Sequence, residues 1–285
     1  LLGLASGVNA LTALHIGSKD DEGLKRTVHT AVIICLAGGI LITVFGILFS
    51  HNILALMNTK DELIDGAVLY LRIYLLGMPA LGLYNFGNAV LSAAGDTKRP
   101  LYYLAFAGVV NVILNLFFVI VCHLGVAGVA LASMISQFIS AFLILRALLT
   151  GKEKYCLRLS EIRFDKRKAV GILQIGIPSA FQYSLFAFAN LFVQSSVNSF
   201  DHVLVEGNSA AANADPLVYD MMAAFYTACS SFIAQNFGAR KKKRILQTYL
   251  ICLFYSFITS LVLGVGIYLA RYPFLYLFTS DKAVV

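Results

Sequence analysis

The chain has 285 residues, of which 59% are hydrophobic and only 13% are charged. Soluble domains usually carry about 25% charged residues, so this composition excludes an ordinary soluble domain and indicates a membrane protein. The formal net charge is +7. A nucleic-acid-binding protein would gather that charge on one folded surface beside stacking aromatic residues, whereas here it is spread over separate loops. We therefore expect no nucleic-acid partner.

The chain contains several uncharged or weakly charged runs, each about 20 residues long. An α-helix of this length crosses roughly 30 Å of hydrocarbon. A β-barrel would show short alternating segments instead. The sequence therefore predicts an all-α polytopic membrane protein. Two amphipathic stretches, 50–62 and 271–282, are predicted to lie as short helices in the outer interface. The predicted spans are 1–16 (truncated), 27–49, 64–94, 101–122, 126–149, 169–199, 203–237 and 246–270.

Positive charge is concentrated in alternate loops. Of the 22 lysine and arginine residues, 18 lie in the loops around 17–26, 95–100, 146–168 and 238–244. Loops rich in lysine and arginine stay in the cytoplasm. We therefore predict a multi-pass protein of the plasma membrane. Its cytoplasmic loops would be 17–26, 95–100, 150–168 and 238–244.

Two parts of the chain are related by a constant offset of 221 residues. At this offset Gly17 matches Gly238 and Thr27 matches Thr248. The offset covers an even number of predicted spans, so both copies have the same orientation and form a parallel repeat. Transporters built from two such repeats place the substrate between their halves. The repeat therefore favours a transporter over a receptor or a structural role.

The repeat predicts two six-helix lobes, both truncated in this sequence. The N-terminal lobe comprises 1–149, with its first helix missing or truncated. A cytoplasmic linker follows over 150–168, and the C-terminal lobe comprises 169–285, with its last helices, about three, missing. The parent protein would then have about twelve helices, and we expect this part alone to be inactive.

Motifs along essentially the whole chain resemble those of the multidrug and toxic compound extrusion (MATE) family. Two of them resemble the repeated inner-loop mark of that family, and the others resemble its fourth to eighth helices in the same order. The inner-loop motifs are IGSKDDEGLKR (16–26) and FIAQNFGARKKKR (232–244). The helix motifs are LSAAGDTKRPLYY (91–103), NVILNLFFV (111–119), GVAGVALASMISQ (125–137), GIPSAFQYSLFAFANLFVQSSVNSF (176–200) and NSAAANADPLVYDMMAAF (208–225).

The resemblance implies an ion-coupled secondary antiporter. Such a protein exports organic cations, drugs or other amphipathic toxins by alternating access while H⁺ or Na⁺ enters. It needs no cofactor, acts as a monomer in the bilayer, and binds amphipathic small molecules. An alternative from the same superfamily is a flippase for lipid-linked precursors or polysaccharides, although the spans hold almost no lysine or arginine to bind a pyrophosphate. An enzyme is not expected, since no HExxH or GxSxG motif occurs.

Two asparagines stand four residues apart in the uncharged run 101–122. Asn111 and Asn115 share one helix face, which we expect to point into the lobe because amides facing lipid are costly. The resemblance implies a cation site here. Asn111 matches a family position, Asn115 stands where an acid is common, and Ser133 stands where a threonine is common. The other interpretation, that the amides tie helices together by hydrogen bonds, stays open.

Two acids are predicted early in the eighth helix of the family order. Asp215 precedes Pro216, a residue suited to a first helical turn, so Asp215 is interpretable as a plain cap beside the positive helix end. Asp220 lies about a turn deeper, where burial of a carboxylate costs more. We predict that this pair binds an ion or the substrate.

The seventh helix of the family order carries three amides on one face. Gln182, Asn190 and Gln194 are spaced by 8 and 4 residues. They are predicted to line the cavity, with helix–helix hydrogen bonding as the alternative. No cysteine or histidine spacing typical of a metal centre occurs, so no metal is expected beyond Na⁺ as a coupling ion.

Two prolines are candidates for hinges. Pro79 follows Gly77 within a predicted span, and Pro178 lies near the start of the seventh helix. A proline removes one backbone hydrogen bond and bends a helix. Such bends suit helices that repack between inward-facing and outward-facing states, although ordinary close packing also explains the small residues around them.

Overall fold

The computed structural model describes residues 1–57, 61–197 and 202–276. Within these ranges the chain is helical and contains no β-strand, which confirms the predicted all-α class. A π-helical turn, Phe117–Val121, follows α5, and a short 3-10 turn, Leu159–Glu161, precedes α7. The α-helices are α1 (Leu2–Ser18), α2 (Asp21–Leu56), α3 (Asp61–Leu75), α4 (Met78–Ala93), α5 (Lys98–Leu116), α6 (Gly125–Thr150), α7 (Lys166–Val197), α8 (His202–Ala211), α9 (Asp215–Gly238), α10 (Lys242–Leu269) and α11 (Arg271–Leu275).

The length and apolar composition of its helices indicate a polytopic membrane protein. Six of the described helices are long and apolar enough to cross a membrane, and the bent pair α3–α4 makes a seventh candidate. The chain divides into two units, Leu1–Ala180 and Phe181–Val285. The predicted linker 150–168 lies inside the first unit, and the predicted boundary between lobes stays a prediction.

Two sequence-based boundaries are wrong. The predicted interfacial helix 50–62 does not begin at residue 50, because α2 continues without a break to Leu56; residues 58–60 lie outside the described part. The run ILFSHNILAL has no proline or glycine that would stop the helix. The predicted span 203–237 is interrupted before Pro216, which lacks the N–H needed to continue α8 into α9.

The first unit is built around tightly packed small and apolar residues. Phe86 and Ile144 are fully buried between α4 and α6. A side chain at Gly7 of α1 would overlap the backbone of α7 at Ile172, so glycine allows these two helices to touch. Asn9 of α1 donates to the Ala89 carbonyl of α4 over 3.1 Å. This packing holds α1, α2, α4, α6 and the first part of α7 together.

In the second unit, α9 and α10 pack along each other. Large apolar side chains such as Leu253, Phe254 and Phe257 are exposed on α10. This outward-facing apolar surface suits a helix whose surroundings are hydrocarbon or neighbouring apolar helices.

The parallel repeat has a structural counterpart in the turn between its first two helices. Lys19 and Arg240 are 221 residues apart, and both adopt a left-handed conformation with φ of 56°. The helices after these turns, α2 and α10, also begin 221 residues apart, at Asp21 and Lys242. A left-handed backbone is uncommon for residues with a side chain, so its recurrence at the same offset supports the repeat.

The segment after α6 is fixed to the start of α2. The Nε2 atom of His29 accepts the Arg158 N–H over 3.1 Å, and the Thr30 hydroxyl accepts the Asp165 N–H over 3.1 Å. An ion pair of 2.5 Å joins Lys25 to Glu161. The segment is therefore docked on α2 by both backbone and side-chain contacts.

We expect this docked segment to stay closed near neutral pH and to open below about pH 4. The hydrogen bond from Lys25 lowers the pKa of Glu161, and the N–H of Lys168 lowers the pKa of Asp165. A carboxyl group with a lowered folded pKa stabilises the fold above its unfolded pKa and loses this effect as pH falls through the folded value. Amide exchange at Asp165, whose N–H donates to the Thr30 hydroxyl, measures the opening after correction for intrinsic rates. Protection that persisted unchanged to pH 2 would contradict this expectation.

The pair α3–α4 bends by 43° at the break between Leu75 and Met78. Pro79 has no N–H for the Leu75 carbonyl. The hydroxyl of Thr43 on α2 satisfies this carbonyl instead, over 2.6 Å. A Cβ on Gly39 would come within 2.6 Å of the Pro79 Cα atom, so α2 packs directly on the bend. The hinge candidate Pro79 thus lies at a real bend, whereas α7 continues through Pro178.

Replacing Thr43 with valine is expected to lower the free energy of unfolding by about 1–3 kcal/mol, because the Leu75 carbonyl loses its donor in an apolar region. Thermal unfolding in detergent measures the change. Thr227→Val is the matched control, since that hydroxyl bonds only to its own helix at Ala223. Equal effects of the two substitutions would show that the bond to Leu75 adds no stability.

Candidate functional site: an amide cluster between α5 and α6

Four polar side chains meet between α5 and α6: Asn111, Asn115, Ser133 and Ser136. Together with Gln137, the residue after Ser136 on α6, we call them the amide cluster. The Nδ2 atom of Asn111 lies 3.3 Å from the Ser136 hydroxyl and 3.5 Å from the Ser133 hydroxyl. Asn115 donates to Oδ1 of Asn111 over 3.0 Å. The structure thus brings together the three residues predicted for the first lobe.

Helical spacing explains this arrangement. Asn111 and Asn115 are one turn apart on α5, and Ser133, Ser136 and Gln137 recur at intervals of three and four on α6. At a rise of 1.5 Å per residue, Asn111 lies about 20 Å from the first residue of α5 and thus well inside this candidate span. The cluster is therefore a polar contact between two apolar helices.

Two oxygen atoms of the cluster are buried without a hydrogen-bond donor in the described part of the chain: Oδ1 of Asn115 and Oε1 of Gln137. A buried oxygen left in this state costs about 1–3 kcal/mol. Every side chain in the cluster is neutral, and oxygen atoms of this kind are the ligands that hard cations take in proteins. The cluster can therefore supply oxygen ligands, and it has no group that gains or loses a proton near neutral pH.

Sequence reasoning missed Ser136 and Gln137. The signal was available in ALASMISQFIS, where polar residues recur at 133, 136, 137 and 140 on one helical face. No sequence pattern indicated that Gln137 would lie against Gly77 at the α3–α4 break, since this contact depends on how α3, α4 and α6 pack.

The predicted acids of the second unit occupy the beginning of α9. Asp215 is its first residue, followed by Pro216, and Asp220 lies five residues further on. Both carboxylates are exposed. Tyr219, beside Asp220, stacks on Phe186 of α7 with ring centroids 5.3 Å apart. Asp220 therefore directly follows, along the chain, a residue in an aromatic contact between α7 and α9.

The three amides of α7 are exposed in the second unit. Gln182, Asn190 and Gln194 all lie on this helix after Pro178. Among the described residues, no hydrogen bond joins Gln182 or Asn190 to Asp215 or Asp220. The two predicted groups therefore lie in the same unit.

Metal centres of the usual protein kind are not part of this site. Within residues 1–57, 61–197 and 202–276, no group of three histidine, cysteine, aspartate or glutamate side chains could hold a metal ion. The amide cluster holds two of the buried side-chain oxygens that lack a hydrogen-bond partner in the described part of the chain.

Comparison with known proteins gives one consistent family. The family model MatE matches residues 1–117 and 178–285. The probable multidrug resistance protein YoeA of Bacillus subtilis is 28% identical over 290 residues, covering 99% of this chain and 62% of the relative. An FAD transporter of Shewanella oneidensis is 23% identical, covering all of this chain and 64% of the relative.

Solved structures show the same fold. An outward-facing multidrug resistance MATE family transporter of the MOP superfamily superposes with a TM-score of 0.89 at 23% identity. The match covers 99% of this chain and 63% of that one. The chain thus spans less than two thirds of the length of these relatives.

Proposed function

Since the chain belongs to the MatE family, whose named relatives are transporters and not enzymes, we propose that it works as an ion-coupled antiporter. Organic cations, drugs or other amphipathic small molecules would leave the cell by alternating access while a cation enters. The basic loops 17–26, 95–100, 150–168 and 238–244 would face the cytoplasm, and the protein would act as a monomer in the plasma membrane.

The amide cluster is the observation that supports ion coupling. Its two donor-free oxygens, on Asn115 and Gln137, lie buried between apolar helices. Such oxygens can replace the water shell of a dehydrated Na⁺, just as backbone carbonyl oxygens replace the hydration shell of an ion in channel filters. The cluster has no titratable side chain, so we propose Na⁺ rather than H⁺ as the ion of this site. Asn111, Asn115 and Ser133 would bind it.

The two carboxylates of α9 are proposed to attract the organic cation. Asp220 lies deeper along the helix than Asp215 and next to the Phe186–Tyr219 stack. A carboxylate beside aromatic faces suits a flat, positively charged molecule, because both attract cations. The exposed amides Gln182, Asn190 and Gln194 would line the same cavity, and Pro79 and Pro178 would serve as hinges.

Gradient-driven uptake into proteoliposomes tests the proposal. The full-length protein is supplied with a fluorescent organic cation under an imposed Na⁺ gradient and, separately, under an imposed pH gradient. Uptake under the Na⁺ gradient alone, at least tenfold weaker in Asn115→Ala, is the expected result. Asn88→Ala is the matched control, since the oxygen of that amide already accepts the Ser92 hydroxyl at 3.1 Å.

Two outcomes would contradict the proposal in different ways. Uptake driven only by the pH gradient would exclude Na⁺ as the coupling ion. Absence of uptake of any organic cation, together with movement of a flavin dinucleotide or a lipid-linked precursor, would assign the protein to the transport of anionic substrates. The FAD transporter among the relatives is the reason for including the flavin.

A further inference from the structure

Gln137 lies where two features of the first unit meet. Its backbone neighbour Ser136 contacts Asn111 in the amide cluster. Its own amide oxygen lies directly over Gly77, at the break between α3 and α4, so that a methyl group at Gly77 would overlap Oε1 of Gln137. Helix α6 packs on both α3 and α4, and Gln137 therefore spans the distance between the cluster and the bend.

The α-helical hydrogen-bond pattern is interrupted at the bend. The N–H groups of Leu76 and Gly77 bond three residues back, to Ile73 and Tyr74, instead of four. Broken helices of this kind line ion sites in transporters, because their freed carbonyls and helix ends face the ion. The donor-free oxygen of Gln137 is thus presented at the end of a half-helix.

We propose that Gln137 is a further ligand of the coupling ion and the residue that links ion binding to the bend. This inference rests on the proposed antiport function. Without the ion, the Gln137 oxygen occupies the space over Gly77 and keeps α3 and α4 bent. With the ion, the flexible side chain turns towards the amide cluster, and the space over Gly77 becomes free for the helix pair to change its angle.

The physical basis is differential binding. A ligand changes a conformational equilibrium only if it binds one state more tightly than the other. Here the bound ion competes with Gly77 for one side chain, so ion binding and the bend are coupled, and by linkage each affects the other by the same factor. At Gly77 the nearest side-chain atoms belong to Gln137, whereas Ser133 and Asn111 bond to each other across α5 and α6.

Two readouts on the purified full-length protein test the proposal. Equilibrium binding of ²²Na⁺ gives the dissociation constant. The distance between spin-labelled non-natural residues at position 63, in α3, and position 94, at the end of α4, reports the angle between these two helices. In the unmodified protein we expect saturable Na⁺ binding and a change in this distance when Na⁺ is added.

Two substitutions separate the role of Gln137 as an ion ligand from its effect on the bend. Gln137→Leu is expected to raise the dissociation constant for Na⁺ at least tenfold and to remove the Na⁺-dependent change in distance. Gly77→Ala puts a methyl group where the Gln137 oxygen lies and displaces only the end of a flexible side chain, so it is expected to bind Na⁺ at least as tightly and to lose the Na⁺-dependent change in distance. Asn88→Leu is the control and is expected to behave as the unmodified protein.

The outcomes distinguish this inference from the function on which it rests. Unchanged Na⁺ affinity in Gln137→Leu, with Na⁺-driven transport intact, would overturn the ligand role and leave the antiport function standing. If the distance between the two spin labels still responds to Na⁺ in Gly77→Ala, the proposed effect of the Gln137 oxygen on the bend is wrong. If the unmodified protein neither binds Na⁺ nor uses its gradient, the proposed Na⁺ coupling itself is wrong.

Discussion

Replacing Asn111 with leucine is expected to abolish Na⁺-driven transport and to lower the free energy of unfolding by about 2–4 kcal/mol. Asn111 is the centre of the amide cluster: its Nδ2 atom faces the hydroxyls of Ser133 and Ser136, and its Oδ1 atom accepts from Asn115. A leucine of similar volume fills the space but removes the acceptor of the Asn115 amide and the donor to both hydroxyls, of which Ser136 still bonds to the Ser133 carbonyl. Unfolding in detergent and gradient-driven uptake measure the two effects.

Asn111→Asp is the matched control for Asn111→Leu, since it has nearly the shape of asparagine and keeps a polar side chain at this position. It keeps an oxygen acceptor towards Asn115 but adds a carboxyl group that can exchange protons, because burial between apolar helices disfavours its charged form. We expect it to retain transport and to make it sensitive to pH. Full transport in Asn111→Leu would show that the cluster only joins α5 to α6, the interpretation that its amides are structural.

Replacing Asp220 with asparagine is expected to reduce export of an organic cation at least tenfold, whereas Asp215→Asn reduces it less than twofold. Asp215 is the first residue of α9, where its charge interacts with the positive helix end and with solvent. Asp220 lies about 7.5 Å further along α9, beyond the first turn where the helix end stabilises a negative charge. A carboxylate within a membrane-spanning helix is costly and commonly marks an ion or substrate site.

Initial rates of efflux for a cationic dye and a neutral dye of similar size provide the measurement. The loss in Asp220→Asn should be confined to the cationic dye, because the substitution removes a charge and leaves the side-chain shape nearly unchanged. Equal losses for both dyes would point to a folding defect. A larger loss in Asp215→Asn than in Asp220→Asn would reverse the proposed roles.

Much of the fold could be predicted from the sequence because the bilayer imposes a simple rule. Runs of about 20 apolar residues become helices, since backbone groups in hydrocarbon must bond within their own segment. The repeat was also visible, because the turns at Lys19 and Arg240 preserve one register. The errors fell at helix ends: α2 continued to Leu56, and the chain broke before Pro216 where hydropathy alone indicated one span.

The site could be predicted only in part. Asn111 and Asn115 stood out because carboxamides are rare in such apolar runs, and helical periodicity gave their common face. The position of Gln137 over Gly77 could not be predicted, since it results from the packing of three helices rather than from any local pattern. The same holds for Thr43, which satisfies a carbonyl 32 residues away along the chain.

The π-helical turn at Phe117–Val121 gives this part of the chain an unusual tolerance to changes in length. Its hydrogen bonds run from Cys122 to Phe117 and from Leu124 to Phe118, so the turn holds more residues than an α-helical turn. Deleting one residue here would restore α-helical winding, because the turn already accommodates the extra residue. The residues before and after the turn, Asn111 and Asn115 among them, would keep their orientation. A change of one residue in length after Asn115 would therefore leave the amide cluster undisturbed.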